Sequence, residues 1–154
     1  MYAGRGYDEV AVGDNFATSM TLTETHIVLG AGLFGDFNPL HTDQAFAERS
    51  RFKGRIAHGY LTSSYMASAL GLVFHGTAVA YLEHSCRFLL PVRAGDTLAV
   101  TWTITAMEDK PNKDGGVVTL SGACANQDGR EVAQANAKML VQNNRYHGPG
   151  ASRS

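Results

Sequence analysis

The sequence predicts an α+β domain in which an antiparallel sheet wraps around one long helix. Three observations predict this: a long stretch of small and apolar residues with helical spacing, period-2 alternation in the C-terminal half, and turn signals between the alternating segments. At 154 residues and 16.5 kDa the chain has the length of one domain. We assign residues 1–142 to that domain. Residues 143–154, which have no apolar period, are assigned to a C-terminal tail.

The long helix is predicted at residues 58–74. Serine and alanine fill the positions between its larger apolar residues, so the segment is small or apolar on nearly every side. Such a helix is usually buried on most of its sides, and we therefore expect it at the centre of the domain. The residues that recur at helical spacing are Leu61, Tyr65, Ala69 and Leu72.

The clearest strand is predicted at residues 96–105. Apolar residues occupy its alternate positions, and threonines occupy the opposite face. This alternation, rich in β-branched residues, is typical of a half-buried strand. The apolar face consists of Leu98, Val100, Trp102 and Ile104.

Three further segments have strand character: residues 78–90, 116–125 and 131–141. The Asp128-Gly129 pair favours a tight hairpin between the last two of them. Residues 110–115 form a longer connection of the same kind. Because hairpins join antiparallel neighbours, these segments predict an antiparallel sheet.

Composition and charge exclude several classes of protein. Thirteen basic and fourteen acidic residues give a net charge of −1, whereas a nucleic-acid binder shows a basic excess. No run reaches the ~18 apolar residues of a membrane span, and the N-terminus lacks the apolar core of a signal peptide. Cys86 and Cys124 form no CxxC pair and are expected to be free thiols. We therefore predict a cytoplasmic protein with no nucleic-acid or membrane partner.

One familiar motif is rejected. The glycines of segment 30–35 match GxGxxG, but Pro39 would interrupt a helix that follows them, and no acidic residue lies between Glu48 and Glu83. A dinucleotide site needs both features, so we interpret the match as chance. HExxH and GxSxG are absent, and we predict no metal. Histidines without a partner constellation, interpreted as surface or core residues, are His26, His75, His84 and His147.

The main candidate for a catalytic site is the segment Gly35-Asp36-Phe37-Asn38-Pro39-Leu40-His41. Asp36 and His41 flank an Asn-Pro bend, in which Asn38 is held extended and favours local hydrogen bonds. Such a bend could direct an acid and a histidine at one point, and histidine both takes and gives protons near neutral pH. A capping aspartate with an incidental histidine is the alternative interpretation.

A second candidate is Gly59, at the start of the predicted helix. The first N–H groups of a helix lack intrahelical acceptors and lie at the positive end of its dipole. A glycine there lets a ligand oxygen approach the backbone closely, as an oxyanion hole requires. A simple helix start is the alternative.

Together, segment 35–41 and the pair His58-Gly59, 17 residues after His41, resemble the signature of the MaoC-like dehydratases, a group that includes the (R)-specific enoyl-CoA hydratases. The resemblance extends roughly from Glu9 to Val141 and includes a PV-x-x-GD connection at residues 91–96. It implies a hot-dog fold, acyl-thioester substrates, syn addition or removal of water, and no metal or redox cofactor.

The resemblance also implies roles for individual residues. Asp36 and His41 would share one water as the catalytic pair, and the Gly59 amide would bind the thioester carbonyl. Phe34 and Ala67 depart from the family, which commonly has hydroxyl residues at these positions. The predicted substrate contacts are Asn38, Tyr60, Ser64, Tyr65, Leu70 and Arg55. Arg55 belongs to a basic run, residues 49–55, that could bind CoA phosphates or be a solvated loop, and Arg87 and Arg93 could bind the phosphates equally well.

The predicted partners are an acyl-CoA or acyl-carrier-protein thioester and a second copy of the chain. Three such dimers could assemble further into a hexamer.

Two alternative functions share the fold. A thioesterase would normally place its acid on the long helix, but residues 60–74 contain no Asp or Glu. A non-catalytic acyl-thioester-binding protein is the other, and retention of both Asp36 and His41 argues against it.

Overall fold

The computed structural model describes residues 4–143, which form five strands and four α-helices. The strands are β1 (Asn15–Thr21), β2 (Ala78–Phe88), β3 (Thr97–Lys110), β4 (Gly115–Ala125) and β5 (Glu131–Gln142). The helices are α1 (Glu24–Phe34), α2 (Pro39–Thr42), α3 (Gln44–Arg49) and α4 (Gly59–Val73). The strands form one antiparallel sheet in the order β1-β3-β4-β5-β2. The predicted α+β class is confirmed.

The predicted strands are found with ends shifted by a few residues. The alternating apolar face of β3 is buried, as expected. β3 continues past its predicted end to Lys110 because a register shift between Ile104 and Ala106 interrupts the alternation from which the end was predicted. The predicted hairpin between β4 and β5 closes through the Gly129 N–H, which donates to the Asn126 carbonyl at 3.0 Å.

The long helix α4 agrees closely with the predicted segment 58–74. It packs on one face of the sheet, where the Trp102 indole N–H donates to the Met66 carbonyl at 2.9 Å in a buried contact. The expectation of burial on most sides is wrong for the single chain. One face of α4, defined by Tyr60, Ser64, Ser68 and Leu72, is exposed, because the sheet covers only the opposite face.

Four elements, β1 and the helices α1, α2 and α3, have no counterpart in the sequence prediction. β1 extends the sheet by pairing with β3; its positions alternate in burial, but within seven residues only Phe16 and Met20 are large and apolar. α1 contains Gly30 and Gly32 and ends at Gly35, which adopts φ +68°. The GxGxxG match is therefore a helix and its C-cap, not the strand-to-helix loop of a dinucleotide site.

Some expectations fall outside the described range. Most of the predicted C-terminal tail, residues 144–154, lies there, as does His147. Within residues 4–143, none of the helices has both the length and the apolar character needed to cross a membrane.

The two cysteines are unpaired thiols held in the sheet. Burial raises the pKa of the Cys124 thiol to about 12, and burial also raises the pKa of Cys86. Because the thiolate is the reacting species, we expect Cys86 to react slowly with an aromatic disulfide reagent at about pH 8 and Cys124 to react only after unfolding. Cys86→Ser should abolish the slow native reaction, measured by colour release. An unchanged native reaction in that variant would contradict the prediction.

Candidate active site

The loop between α1 and α2 holds Asp36 and His41 on a rigid bend. Gly35 ends α1 in the left-handed region and turns the chain. Asn38 then caps α2, its side-chain oxygen accepting the Leu40 N–H at 3.0 Å, and Pro39 occupies the first helical position. The Asn38 N–H donates to the Asp36 carboxylate at 3.1 Å. The predicted Asn-Pro bend is thus present, with His41 inside α2.

The two side chains face each other across a gap. His41 Nε2 lies 3.9 Å from Asp36 Oδ2, and the exposed fractions of the two side chains are 12% and 45%. His41 Nδ1 lies 2.8 Å from the Ile56 carbonyl oxygen. Because a carbonyl only accepts, Nδ1 carries the hydrogen and Nε2 keeps its lone pair in the neutral ring. The gap is too long for a direct hydrogen bond but suits two groups that bind one water.

Gly59 shares a cavity with His41. It is the first residue of α4, so its amide has no acceptor within the helix. The cavity measures about 290 Å³, and Arg51, Thr62 and Phe88 also line it. A Cβ at position 59 would lie 2.9 Å from the Phe88 ring, so close packing, in addition to ligand access, requires glycine here. The arrangement places a histidine base and a helix-terminal donor around one space.

His58 joins this site although sequence reasoning gave it no role of its own. Its ring is stacked on His41, with the ring centroids 3.9 Å apart. In the described part of the chain, Asp36, His41 and His58 form one cluster with ligand atoms within 4.8 Å of one another. His58 Nε2 is bonded to the Asp36 carbonyl oxygen at 2.9 Å, so this nitrogen would have to give up that bond to hold a metal. The other ring nitrogen of His58, Nδ1, has no hydrogen-bond partner within residues 4–143.

The predicted substrate contacts lie in several places. Tyr60 and Ser64 are on the exposed face of α4, and Tyr65 is half-buried. Leu70 is fully buried in the hydrophobic core. Asn38 caps α2, with its side-chain oxygen engaged there. None of these residues lines the cavity beside His41, and their roles in substrate binding stay predictions.

The basic side chains of residues 49–55, and Arg93, differ in the contacts that they make. Arg55 pairs with Glu24 and donates to Gln44, so its guanidinium already has partners within the chain. Arg93 donates to the carbonyls of Phe52 and Arg55 and holds the loop before α4. Arg51 lines the cavity, with its guanidinium 4.7 Å above the Phe52 ring. Arg51 is therefore the cation best placed to meet a ligand.

The partners of His26 and His84 are side chains and backbone groups close to them. His26 caps α1 together with Thr23. His84 bonds Ser63 at 2.8 Å and Tyr81 at 2.9 Å, which agrees with its interpretation as a surface or core histidine. Burial lowers the pKa of His84 and raises that of Tyr81 to about 12. The cluster ties α4 to β2, and its residues do not line the cavity beside His41.

Comparison with known proteins agrees with this geometry. Residues 9–123, which include the acid–histidine bend and Gly59, match the family model of the MaoC like domain. The chain belongs to the MaoC-like family. The resemblance predicted from segment 35–41 is confirmed.

Relatives and structures of the MaoC-like family match most of the chain. The (R)-specific enoyl-CoA hydratase of Rhodospirillum rubrum is 33% identical over 88% of this chain and 90% of its own length. The 3-hydroxybutyryl-CoA dehydratase of Methylorubrum extorquens is 32% identical over 61% of this chain and 60% of its own. The unliganded R-hydratase PhaJ1 of Pseudomonas aeruginosa aligns with a TM-score of 0.81 at 30% identity, covering 99% of this chain and 98% of that chain. The predicted hot-dog fold is confirmed.

Proposed function

We propose that this protein is a hydro-lyase that reversibly adds water to a 2-enoyl-CoA and forms a 3-hydroxyacyl-CoA. The observation that carries the proposal is the 3.9 Å gap between Asp36 Oδ2 and His41 Nε2, next to a cavity that contains Gly59. The names of the similar hydratase and dehydratase support the same reaction. Asp36, His41 and Gly59 are the proposed catalytic residues.

The reaction uses one water held by the acid–base pair. The water donates to Asp36 Oδ2 and to His41 Nε2, which leaves a lone pair of its oxygen directed at Cβ of the enoyl thioester. As the oxygen bonds Cβ, the π electrons of the double bond shift toward the thioester oxygen, and one member of the pair takes a proton from the water. That same proton is then delivered to Cα, which returns the pair to its starting state. The water oxygen and the proton add from the same side of the double bond, so the addition is syn. Dehydration follows the reverse path.

The amide of Gly59 stabilises the charge that develops during this step. Attack at Cβ pushes electron density onto the thioester oxygen, and an N–H at the start of α4 lies at the positive end of the helix dipole. A donor of this type contributes most when charge is greatest, in the transition state. Polarisation of the thioester by Gly59 also makes Cβ more electrophilic.

The proposed reaction is tested with a panel of enoyl-CoAs and 3-hydroxyacyl-CoAs of increasing chain length. Purified protein should remove the enoyl-thioester absorbance and form the 3-hydroxyacyl product, whose configuration a stereospecific dehydrogenase reports. Rates measured with the same acyl groups attached to a carrier protein show whether the protein prefers CoA thioesters or carrier-protein thioesters. Release of free thiol without hydration would identify a thioesterase, and binding without turnover would identify a non-catalytic acyl-thioester-binding protein.

We also propose that the protein acts as a homodimer through the edge strand β2. The sheet ends at β2, whose exposed side chains include Val79, Tyr81, Leu82 and Phe88. The exposed face of α4 adds Tyr60 and Leu72, which are 70% and 56% exposed. A long edge strand with apolar side chains is normally protected from uncontrolled pairing. A second copy related by a two-fold axis would extend the sheet and cover both surfaces.

The opposite edge is a poorer interface. β1 has seven residues, and its exposed positions carry Asn15, Ala17, Ser19 and Thr21, which give little apolar area to bury. The different character of the two edges supports one pairing mode through β2. Hexamers would require further contacts between dimers.

We expect Leu82→Lys to weaken the dimer, because two-fold symmetry brings a like charge from each copy to the same interface. Light scattering should give twice the 16.5 kDa chain mass for the wild-type protein, or six times if dimers assemble further, and a smaller mass for the variant. Ser19→Lys, on the exposed side of β1, is the matched control and should keep the wild-type mass. A wild-type protein that stays monomeric at micromolar concentration would contradict the proposal.

The cytoplasm is the proposed compartment. Both cysteines are unpaired, and free thiols persist in reducing compartments. No prosthetic group is needed for the proposed water addition, because Asp36 and His41 supply the proton transfers and Gly59 supplies the electrophilic contact.

A further inference from the structure

His58 lies between the catalytic loop and the start of α4. It is the residue before the helix, is only 1% exposed, and makes no side-chain capping bond to α4. Its contacts run instead toward Asp36, His41 and Phe34. A buried polar ring at a helix start that does not cap the helix requires another explanation.

The first contact holds the backbone of the catalytic acid. His58 Nε2 lies 2.9 Å from the Asp36 carbonyl oxygen, and because that oxygen only accepts, Nε2 carries the hydrogen. Two other hydrogen bonds of the bend are local, from the Asn38 N–H to the Asp36 carboxylate and from the His41 N–H to the Asn38 carbonyl. Ile56 bonds to the C-terminal part of the bend, at the Leu40 carbonyl and at His41 Nδ1, whereas His58 bonds to the Asp36 backbone. The bond from His58 ties this bend to an element 22 residues away.

The second contact holds the ring of the catalytic histidine. The rings of His41 and His58 have centroids 3.9 Å apart and planes inclined by 31°, a stacked arrangement. The Phe34 ring meets His58 edge-on, with a centroid distance of 5.7 Å. His41 is thus fixed on its face by His58 and at Nδ1 by the Ile56 carbonyl.

His58 is poorly placed to transfer protons itself. With the hydrogen on Nε2, its Nδ1 is an unprotonated nitrogen that is buried and has no hydrogen-bond partner within residues 4–143. An ideal Cβ at Gly30 would lie 3.5 Å from this atom, so Nδ1 is directed toward α1. His58 also does not line the cavity that His41 and Gly59 share. These features indicate a fixed tautomer with a geometric role.

We propose that His58 is a positioning residue that sets the separation and orientation of Asp36 and His41, a role that rests on the proposed hydratase function. One side chain contacts both members of the pair, through the backbone of the acid and the ring face of the base. The shared water must meet both groups at once, and a displacement of about 1 Å from reactive geometry can cost ~10²-fold in rate. His58 therefore affects kcat without contacting the reacting atoms.

Three variants separate the two contacts. His58→Gln offers an N–H at a similar reach but no ring, His58→Phe keeps a ring for stacking but has no donor, and His58→Ala removes both. We expect His58→Ala to lose about 10² in kcat, by the geometric argument, and the Gln and Phe variants to recover part of it. KM should change little, because the cavity lining is retained. Met66→Ala, a buried truncation in α4, controls for loss of stability and should not lower kcat selectively.

A second measurement does not depend on turnover. Nitrogen NMR of labelled histidines reports the tautomer and ring environment of His41, which His58→Ala should shift and Met66→Ala should leave unchanged. Unchanged His41 signals in His58→Ala, or a kcat within about threefold of wild type per folded protein, where geometric misplacement costs far more, would overturn the positioning role. A wild-type protein with no hydration activity would overturn the proposed function, while the NMR comparison would still decide whether His58 fixes His41.

Discussion

Asp36→Asn and His41→Ala are each expected to lower kcat by about 10²–10⁴, the usual contribution of a general acid–base group. Asn keeps the shape of the aspartate side chain but cannot accept a proton, and Ala removes the Nε2 lone pair that faces Asp36. Binding of the thioester should weaken only slightly, because Gly59 and the other cavity residues remain. Stopped-flow hydration of a purified enoyl-CoA and a separate binding titration measure the two effects.

The double variant should lose little more than the worse single variant. Both groups hold the same water across the 3.9 Å gap, and once either is missing the water is no longer positioned. Residues that act as one unit give strongly non-additive losses. Fully additive losses would show that the two residues act in separate steps.

Asp43→Asn is the matched control for the catalytic acid. Asp43 is also exposed and lies just after the same bend, where its carboxylate caps α3 by accepting the Phe46 N–H at 2.8 Å. Asn is an equally good cap, so this variant should keep the wild-type rate. The assignment of Asp36 and His41 would be wrong if both single variants kept more than about a tenth of the wild-type rate, well above the expected general acid–base loss.

Gly59→Pro is expected to produce a second large loss, about 10²–10³ in kcat, which is typical for removal of one oxyanion donor. Proline removes the amide hydrogen but is well tolerated at the first helical position. His58 already has φ −60° and ψ 141°, which suits a residue before proline. The substitution therefore deletes the proposed donor with little change to α4.

The added side chain must be controlled, because a Cβ at position 59 would contact the Phe88 ring at 2.9 Å. We would compare Gly59→Pro with Gly59→Ala in a Phe88→Ala background, where that contact is relieved. Alanine and proline then differ at residue 59 mainly in the amide hydrogen. Equal rates in the two double variants would show that the Gly59 amide does not bind the thioester oxygen.

The alternation and turn residues of short segments were sufficient to predict much of the fold and the residues of the candidate site. Alternation at Leu98–Ile104 predicted the buried face of β3 because the side-chain period of a strand is set by its backbone. Asn38-Pro39 predicted the catalytic bend because both residues restrict the backbone locally. β1 was missed because only Phe16 and Met20 mark its alternation, and its place in the sheet depends on pairing with β3.

The sequence by itself determined which residues are the candidates for the chemistry, and the tertiary structure decided how they are held. The Ile56 carbonyl sets the hydrogen of His41 on Nδ1, and His58 bonds the Asp36 backbone across 22 residues. Arg55, expected at a phosphate, is engaged by Glu24, whereas Arg51 lines the cavity. Spacing and turn chemistry act between near neighbours in the chain. These contacts instead depend on how α1, α2 and the start of α4 pack together, because side-chain partners are chosen by proximity in space.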